Sequence, residues 1–114
     1  MAGFPKRVRI LRSKDFRRVY AEGNRYTCPL FAAFCVRGEE TDGPRVGFTV
    51  PRALGCAVVR NRIRRRVREA VRLRLDHLNP QWEIVFNPRR AAKNAPFAEL
   101  EREVDKLFLR CGAP

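Results

Sequence analysis

The sequence predicts one α+β domain in which helices pack against a single β-sheet. Its 114 residues match the length of one domain and suffice for a substantial core. Residues 28–38 and 44–51 carry the composition and spacing of β-strands, whereas residues 58–78 repeat apolar side chains every fourth position, as one face of a helix does. Segments with these two periods in one short chain indicate a sheet covered by helices, an α+β sandwich.

The first twelve residues, MAGFPKRVRILR, carry four basic residues and no acid. We interpret residues 1–12 as a basic N-terminal arm that rests on something anionic.

The first helix is predicted in SKDFRRVYAEG, residues 13–23. Ser13 belongs to the residue types that cap helices, and Gly23 is expected to end the helix. One face of this helix carries Phe16, Val19 and Tyr20.

Two strands are predicted next, in CPLFAAFCVRG (28–38) and PRVGFTVP (44–51). The segment between them, EETDG (39–43), has the composition of a turn. This spacing predicts that the two strands pair as an antiparallel hairpin. Alternation along the first strand places Phe34 on the face opposite to Phe31.

A long helix is predicted over residues 58–78, before the helix-breaking NPQ. Its core-facing stripe consists of Val59, Ile63, Val67, Val71 and Leu75.

WEIVFNPR (82–89) is predicted to be a short buried strand, and a last helix begins near Asn94 or Ala95. The inward residues of that last helix are Phe97, Leu100, Val104, Leu107 and Phe108.

The charge balance points to a polyanionic partner. Lys and Arg number 25 against 12 acids, which gives a formal net charge of +13. Such a chain is attracted to polyanions, of which nucleic acid is the commonest. Only four of the basic residues are lysines, and arginine grips phosphate bidentately and stacks on bases.

The basic charge is densest in RNRIRRRVREAVRLR, residues 60–74, which holds eight arginines and one acid. On a helical wheel, the positions opposite the apolar stripe are Asn61, Arg65, Arg68 and Arg72. Arg62 and Arg66 flank one edge, Arg64 flanks the other, and Arg60 points toward the stripe at the first turn, where its long stem can reach past the core. A charged face with a purely structural role normally mixes signs, as the last helix does. The imbalance therefore predicts a phosphate-binding helix.

The chain offers little that its own side chains could use for catalysis. Two-metal chemistry needs convergent carboxylates, but the acids are scattered along the sequence. His77 is the only histidine, so a histidine pair for acid–base cleavage is not available.

The cysteines and the apolar segments indicate a cytoplasmic protein. Cys28, Cys35, Cys56 and Cys111 are irregularly spaced and contain no C-x-x-C pair, so we expect reduced, mostly packed thiols and not a zinc site. No apolar run approaches the roughly 18 residues needed to span a bilayer, and the start lacks the apolar region of a secretion signal.

The aromatic residues near the first helix allow two interpretations. Phe16 and Tyr20 share a helix face, and the strand LFAAF places aromatic rings on both of its faces. These rings either close a core or, beside arginine, form a stacking platform for single-stranded nucleic acid.

Several of these segments together resemble the protein subunit of bacterial ribonuclease P, over most of the chain. GCAVVRNRIRRRVREAVR (55–72) is similar to the arginine-rich RNR motif of that family. SKDFRRVYAEG resembles its first helix, RVGFTV the strand before the motif, and FAELEREVDKL its last helix. Two positions depart from the family pattern: Ala53 stands where a second lysine is frequent, and Cys56 where asparagine is usual. The first removes one expected RNA contact, and the second removes the amide side chain that the family pattern has at that position.

The resemblance implies a two-layer α/β sandwich of α-β-β-β-α-β-α order, with about four strands in a mixed sheet, three helices and a left-handed βαβ crossover, a ribosomal-protein-like fold. Ordinary handedness rules would have predicted a right-handed crossover. It also implies a single RNA-binding domain over residues 1–114.

The resemblance further implies that a large RNA partner is the catalyst. That RNA and the substrate would hold Mg²⁺, with none bound tightly by the protein, and would remove the 5′ leader of precursor tRNA. By matching position, the residues facing the catalytic RNA would be Arg52, Arg60, Asn61, Arg62, Arg64, Arg65 and Arg68. The residues lining a cleft for the leader would be Phe16, Tyr20, Phe34 and Arg45. Neither a membrane nor DNA is expected as a partner.

Two other functions remain open on the sequence alone. A small basic ribosomal protein, or another structural RNA-binding protein without a role in cleavage, shares this size and charge. A DNA-binding helix module is the second alternative, although the chain lacks a compact second helix and turn before the arginine run.

Overall fold

The computed structural model describes residues 8–10, 12–38 and 44–111. The helices and strands are α1 (Ser13–Glu22), β1 (Asn24–Thr27), β2 (Phe31–Arg37), β3 (Arg45–Phe48), α2 (Ala57–Arg72), β4 (Trp82–Pro88) and α3 (Phe97–Arg110). Short 3-10 turns lie at Arg52–Leu54, Leu75–His77 and Arg90–Lys93. The α+β prediction with three helices and a four-stranded mixed sheet is confirmed. The predicted turn 39–43 and most of the N-terminal arm lie outside the described residues.

The strands form one sheet in the order β1-β2-β4-β3. β1 and β2 make an antiparallel hairpin, β2 and β4 are antiparallel, and β4 and β3 are parallel. The predicted hairpin between 28–38 and 44–51 is therefore wrong, because β4 inserts between β2 and β3. The central residues of β4 are apolar and buried, so this strand is most stable with a neighbour on each side.

The parallel pairing of β3 with β4 requires a crossover connection, and α2 supplies it. The βαβ unit itself is thus confirmed. The left hand of its crossover stays a prediction from the family resemblance.

The larger core lies between the sheet and the helices α2 and α3. The sheet contributes Phe31 and Phe86, whose ring centroids are 5.2 Å apart. Ile63, Val67 and Val71 of α2 are fully buried against this face, as their four-residue spacing predicts. Burial of each such side chain stabilises the fold by about 1.5–3 kcal/mol. On α3 the predicted inward residues Leu100, Val104, Leu107 and Phe108 are buried and Phe97 is half-buried.

A smaller core lies on the opposite face of the sheet, under α1. Val19 of α1 and Val85 of β4 are fully buried there together with Ile10. Because alternate residues of a strand point to opposite faces, Phe34 lies on this side and Phe31 on the other. The sandwich of sheet with α2 and α3 therefore gains a partial layer from α1.

The ends of α1 differ in part from the prediction. Ser13 is the first helical residue, and Arg12 occupies the N-cap position without a side-chain hydrogen bond, so the predicted Ser13 cap is wrong. Gly23 ends the helix as predicted, and its N–H donates to the carbonyl of Val19 at 2.8 Å. Its φ of −77° is not left-handed. A glycine suits this position because a Cβ would lie 2.5 Å from the Val19 carbonyl oxygen.

Helix α2 is shorter than predicted and ends at Arg72. The following residues form turns, and these still bring Leu75 and Leu78 to the core. Arg74 in this segment pairs with Glu101 at 2.7 Å and with Asp105 at 2.8 Å, which holds the segment against α3. These ion pairs come from residues about thirty positions away, so the helical pattern alone could not show where the helix stops.

The described part of the N-terminal arm packs against the sheet. The N–H of Ile10 donates to the carbonyl of Val46 at 2.9 Å, and Arg9 forms a parallel bridge with the same residue. This contact covers the outer edge of β3, where unpaired backbone groups would otherwise be exposed. Within the described ranges, no helix is both long enough and apolar enough to cross a bilayer.

Candidate nucleic-acid interface

The solvent side of α2 carries a continuous row of arginines, because the opposite side is anchored in the larger core. Asn61, Arg62 and Arg65 are exposed, and Arg60, Arg64 and Arg68 are half-buried. The Nε of Arg60 is buried and has no hydrogen-bond partner in the part of the chain that the structure describes. The predicted RNA-facing residues of α2 therefore lie on one surface around the helix.

The positive charge of this surface is not neutralised within the described part of the chain. The acid of α2, Glu69, lies in the last turn and pairs with Arg72 at 3.0 Å, and this hydrogen bond lowers the pKa of Glu69. None of the arginines predicted to face RNA has a carboxylate partner among the described residues. A surface of this kind attracts phosphate.

Two arginines on one edge of α2 also hold the fold together. Arg66 donates to the carbonyls of Ala92, at 2.6 Å, and Ala95, and its burial together with the charge of Arg62 lowers the pKa of its guanidinium. Arg62 donates from Nε to the carbonyl of Lys93 at 3.2 Å but remains exposed. Arg66 thus holds the 90–95 segment against α2, whereas the guanidinium of Arg62 remains exposed to solvent.

The basic surface extends beyond the start of α2. Arg52 is exposed in its 3-10 turn, and Arg90 donates to the carbonyl of Ala53 in the same turn at 2.8 Å.

The exposed Cys56 occupies the N-cap position of α2, where the backbone N–H groups of Val59 and Val58 lower the pKa of its thiol. The other three cysteines are buried, and all four are free thiols.

A second arrangement lies on the opposite face of the sheet, where α1 meets β2. The rings of Tyr20 and Phe34 are in edge-to-face contact with centroids 4.9 Å apart. The hydroxyl of Tyr20 contacts Asn87 Oδ1 at 2.8 Å and Thr49 Oγ1 at 3.0 Å, which fixes the ring against the sheet. Phe16, Tyr20 and Phe34 are all half-buried, so each keeps part of its ring accessible.

Arg45, predicted to line this cleft, is engaged by acids of the chain itself. It donates to Glu83 at 2.9 Å and to Asp15 at 3.1 Å. Arg18 also pairs with Glu83, and this hydrogen bond raises the pKa of Arg18. Glu83 is only 6% exposed, so the two arginines compensate a buried carboxylate. The network joins α1 to β3 and β4 and leaves Arg45 little free charge.

Comparison with known proteins identifies the family. A family model described as Ribonuclease P matches residues 4–112. The ribonuclease P protein component of Symbiobacterium thermophilum is 39% identical over 107 residues, which cover 94% of this chain and 93% of that protein. That of Acidothermus cellulolyticus is 43% identical over 108 residues, covering 93% and 89%. The chain belongs to the ribonuclease P protein family.

Solved structures of ribonuclease P proteins share the fold. The protein from Thermotoga maritima superposes with a TM-score of 0.77 at 27% identity, covering 88% of this chain and 94% of that one. The Staphylococcus aureus protein gives a TM-score of 0.76 at 28% identity, covering 90% and 93%.

Membership of the ribonuclease P family decides between the functions that the sequence left open. The chain is the protein subunit of a tRNA-processing endoribonuclease, a ribonucleoprotein whose other component is the ribonuclease P RNA. The ribosomal-protein and DNA-binding alternatives are set aside by the same finding.

Three basic residues of this ribonuclease P protein lie near the two surfaces although the sequence analysis did not predict them there: Arg25, Arg90 and Lys93. The Arg25 guanidinium lies 5.9 Å from the Phe34 ring centroid, because β1 pairs Arg25 directly with Phe34. Arg90 and Lys93 lie beside the start of α2, although about thirty residues separate them from it in sequence. Arg25 was not predicted at the cleft because strand β1, which carries it, was not recognised in the sequence pattern. No local pattern in the sequence indicated that Arg90 and Lys93 lie near the start of α2.

Proposed function

We propose that α2, with the turn before it, binds the ribonuclease P RNA, and that the α1-side cleft binds the 5′ leader of precursor tRNA. The observation that carries the proposal is the α2 surface, where arginines without carboxylate partners in the described chain surround a helix whose other side is buried. The residues assigned to the catalytic RNA are Arg52, Arg60, Asn61, Arg62, Arg64, Arg65 and Arg68. Phosphate contacts of this kind fix the register of an RNA without reading its sequence.

The cleft is suited to a single strand because its aromatic rings are held in place and partly exposed. Tyr20 is held in place by the hydrogen bond of its hydroxyl, and Phe34 by its position in the sheet. A base that stacks on these rings therefore causes little loss of side-chain conformational entropy. Each stacked base contributes about 1–3 kcal/mol and does so for any base. Arg25 supplies the cation at this cleft, whereas Arg45 orients α1 through Asp15 and Glu83.

The chemistry is expected to belong to the RNA. In this assembly Mg²⁺ is held by the RNA and the substrate, with none bound tightly by the protein, and the protein positions both RNAs for cleavage. In the described part of the chain, no three His, Cys, Asp or Glu residues come together as a metal site. The assembly is expected in the cytoplasm.

Reconstitution tests this proposal. The purified chain, added to a bacterial ribonuclease P RNA at low Mg²⁺, should restore removal of the leader from precursor tRNA. Arg65→Ala should weaken the assembly, whereas Arg102→Ala, an equal charge loss at an exposed site of α3, should not. Cleavage by the polypeptide after all RNA has been removed would contradict the assignment of the chemistry to the RNA.

A further inference from the structure

A small cavity lies at the outer edge of β3, between the N-terminal segment and α2. Its volume is about 140 Å³, which is enough for several water molecules and therefore for a tetrahedral phosphate group. The lining includes Arg9, Arg64 and Arg68 together with Phe16, Val46 and Phe48. Three arginines thus converge over an apolar floor, and no described carboxylate is among the lining residues.

The arginines at this cavity are close together and incompletely satisfied. The Nε atoms of Arg9 and Arg68 are buried and have no hydrogen-bond partner among the described residues. The Arg68 guanidinium lies 5.8 Å from the centroid of the Phe48 ring, and Arg64 donates to Asn61 Oδ1 at 2.8 Å. Burial, followed by the charges of Arg9 and Arg64, lowers the pKa of Arg68. Partly desolvated cations that repel each other are stabilised when an anion enters between them.

We propose that this cavity binds one phosphodiester group of an RNA backbone between Arg9, Arg64 and Arg68. The proposal rests on the proposed function and adds to it the N-terminal residue Arg9. Guanidinium groups bind phosphate through paired N–H donors, which the terminal N–H groups of these arginines can provide.

The position of the cavity gives the bound phosphate a specific role. Phe16 belongs both to the cavity and to the α1-side cleft, whereas Arg64 and Arg68 belong to the α2 surface. The two proposed RNA surfaces lie on opposite faces of the sheet, and the cavity at the β3 edge lies between them. A phosphate held here connects the two surfaces around that edge.

A double-mutant cycle tests whether Arg9 and Arg68 share one phosphate. Arg9→Gln and Arg68→Gln should each lower the affinity for RNA about tenfold, because each removes a charge-assisted contact. Together they should lower it by clearly less than a hundredfold, since the second change acts on a contact already broken. Arg102→Gln on α3 serves as the control: it should have little effect and should combine additively with Arg68→Gln.

Thermal unfolding of the free protein separates binding from packing. Arg9→Gln should leave the melting temperature unchanged or raise it, because it removes a repelling charge. A lowered melting temperature with additive effects on RNA affinity would mean that Arg9 only packs against the sheet, which overturns the proposal.

The RNA used in the cycle identifies the source of the phosphate. Coupling measured with the ribonuclease P RNA alone assigns the group to that RNA. Coupling that appears only when the assembled holoenzyme binds leader-bearing precursor, and not mature tRNA, assigns it to the leader. Absence of coupling in both overturns the cavity assignment.

Arg65→Ala, measured beside these variants, separates the two proposals. If it weakens RNA binding while the cavity variants match Arg102→Gln, the cavity assignment alone fails. If Arg65→Ala has no effect either, the proposed function fails with it.

Discussion

At the scale of single residues, partner charges decide what an arginine can do. Arg45 and Arg65 are chemically identical, yet Arg45 is bound by Glu83 and Asp15 whereas Arg65 is exposed with no carboxylate partner in the described ranges. The first stabilises the attachment of α1, and the second is available to phosphate.

Glu83→Gln should destabilise the fold by about 2 kcal/mol, because Arg18 and Arg45 would lose the carboxylate that compensates them. This value is below that of a fully buried pair, since both arginines are about one third exposed and screened by solvent. Urea unfolding measures the effect. Glu22→Gln, an exposed acid 3.9 Å from Arg18, is the control and should change stability little. Equal effects of the two changes would show that the ion pairs of Glu83 with Arg18 and Arg45 do not stabilise the fold.

Tyr20→Ala and Phe34→Ala should each weaken binding of leader-bearing precursor tRNA about tenfold, the loss of one stacked base. Binding of mature tRNA should stay nearly unchanged. Tyr20→Phe keeps the ring and loses only the contacts to Asn87 and Thr49, so it should retain most of the leader affinity. Equal losses on both tRNAs would assign these rings to the core alone.

At the scale of elements, α2 combines a buried side with a cationic side, and each responds to a different substitution. Val67→Asp should unfold the domain because it places an unpaired charge at a fully buried position. Val58→Asp, on the same helix but 76% exposed, should be tolerated. Circular dichroism of the two variants measures the difference, and similar spectra would contradict the orientation of the helix.

At the scale of the whole molecule, the net charge of +13 makes RNA binding strongly dependent on salt. If the α2 surface contacts about six phosphates, the slope of log affinity against log salt should be about −4 to −5. Arg65→Ala should flatten that slope by about one unit. A slope near zero would exclude phosphate neutralisation as the source of affinity.

The amino-acid sequence by itself determined the α+β class, the apolar stripe of α2 and the arginines around it. These features depend on local period and composition: Ile63, Val67 and Val71 must share a face in an α-helix, and Arg65, two positions from Ile63 and from Val67, must then face away from the core. The same local pattern carried the family resemblance in residues 55–72. It also placed Phe16 and Tyr20 on one face of α1, where both contact the sheet.

Only the tertiary structure decided which strands pair and which arginines are neutralised. β4 lies between β2 and β3 because its buried residues are covered best by two neighbours, and no local pattern encodes such a long-range pairing. That insertion brings Glu83 beside Arg45 and so removes Arg45 from the free cations. Pairing of the N-terminal segment with β3 likewise brings Arg9 to Arg68. Electrostatic interactions depend on distance in space, and distances between residues far apart in sequence exist only once the chain has folded.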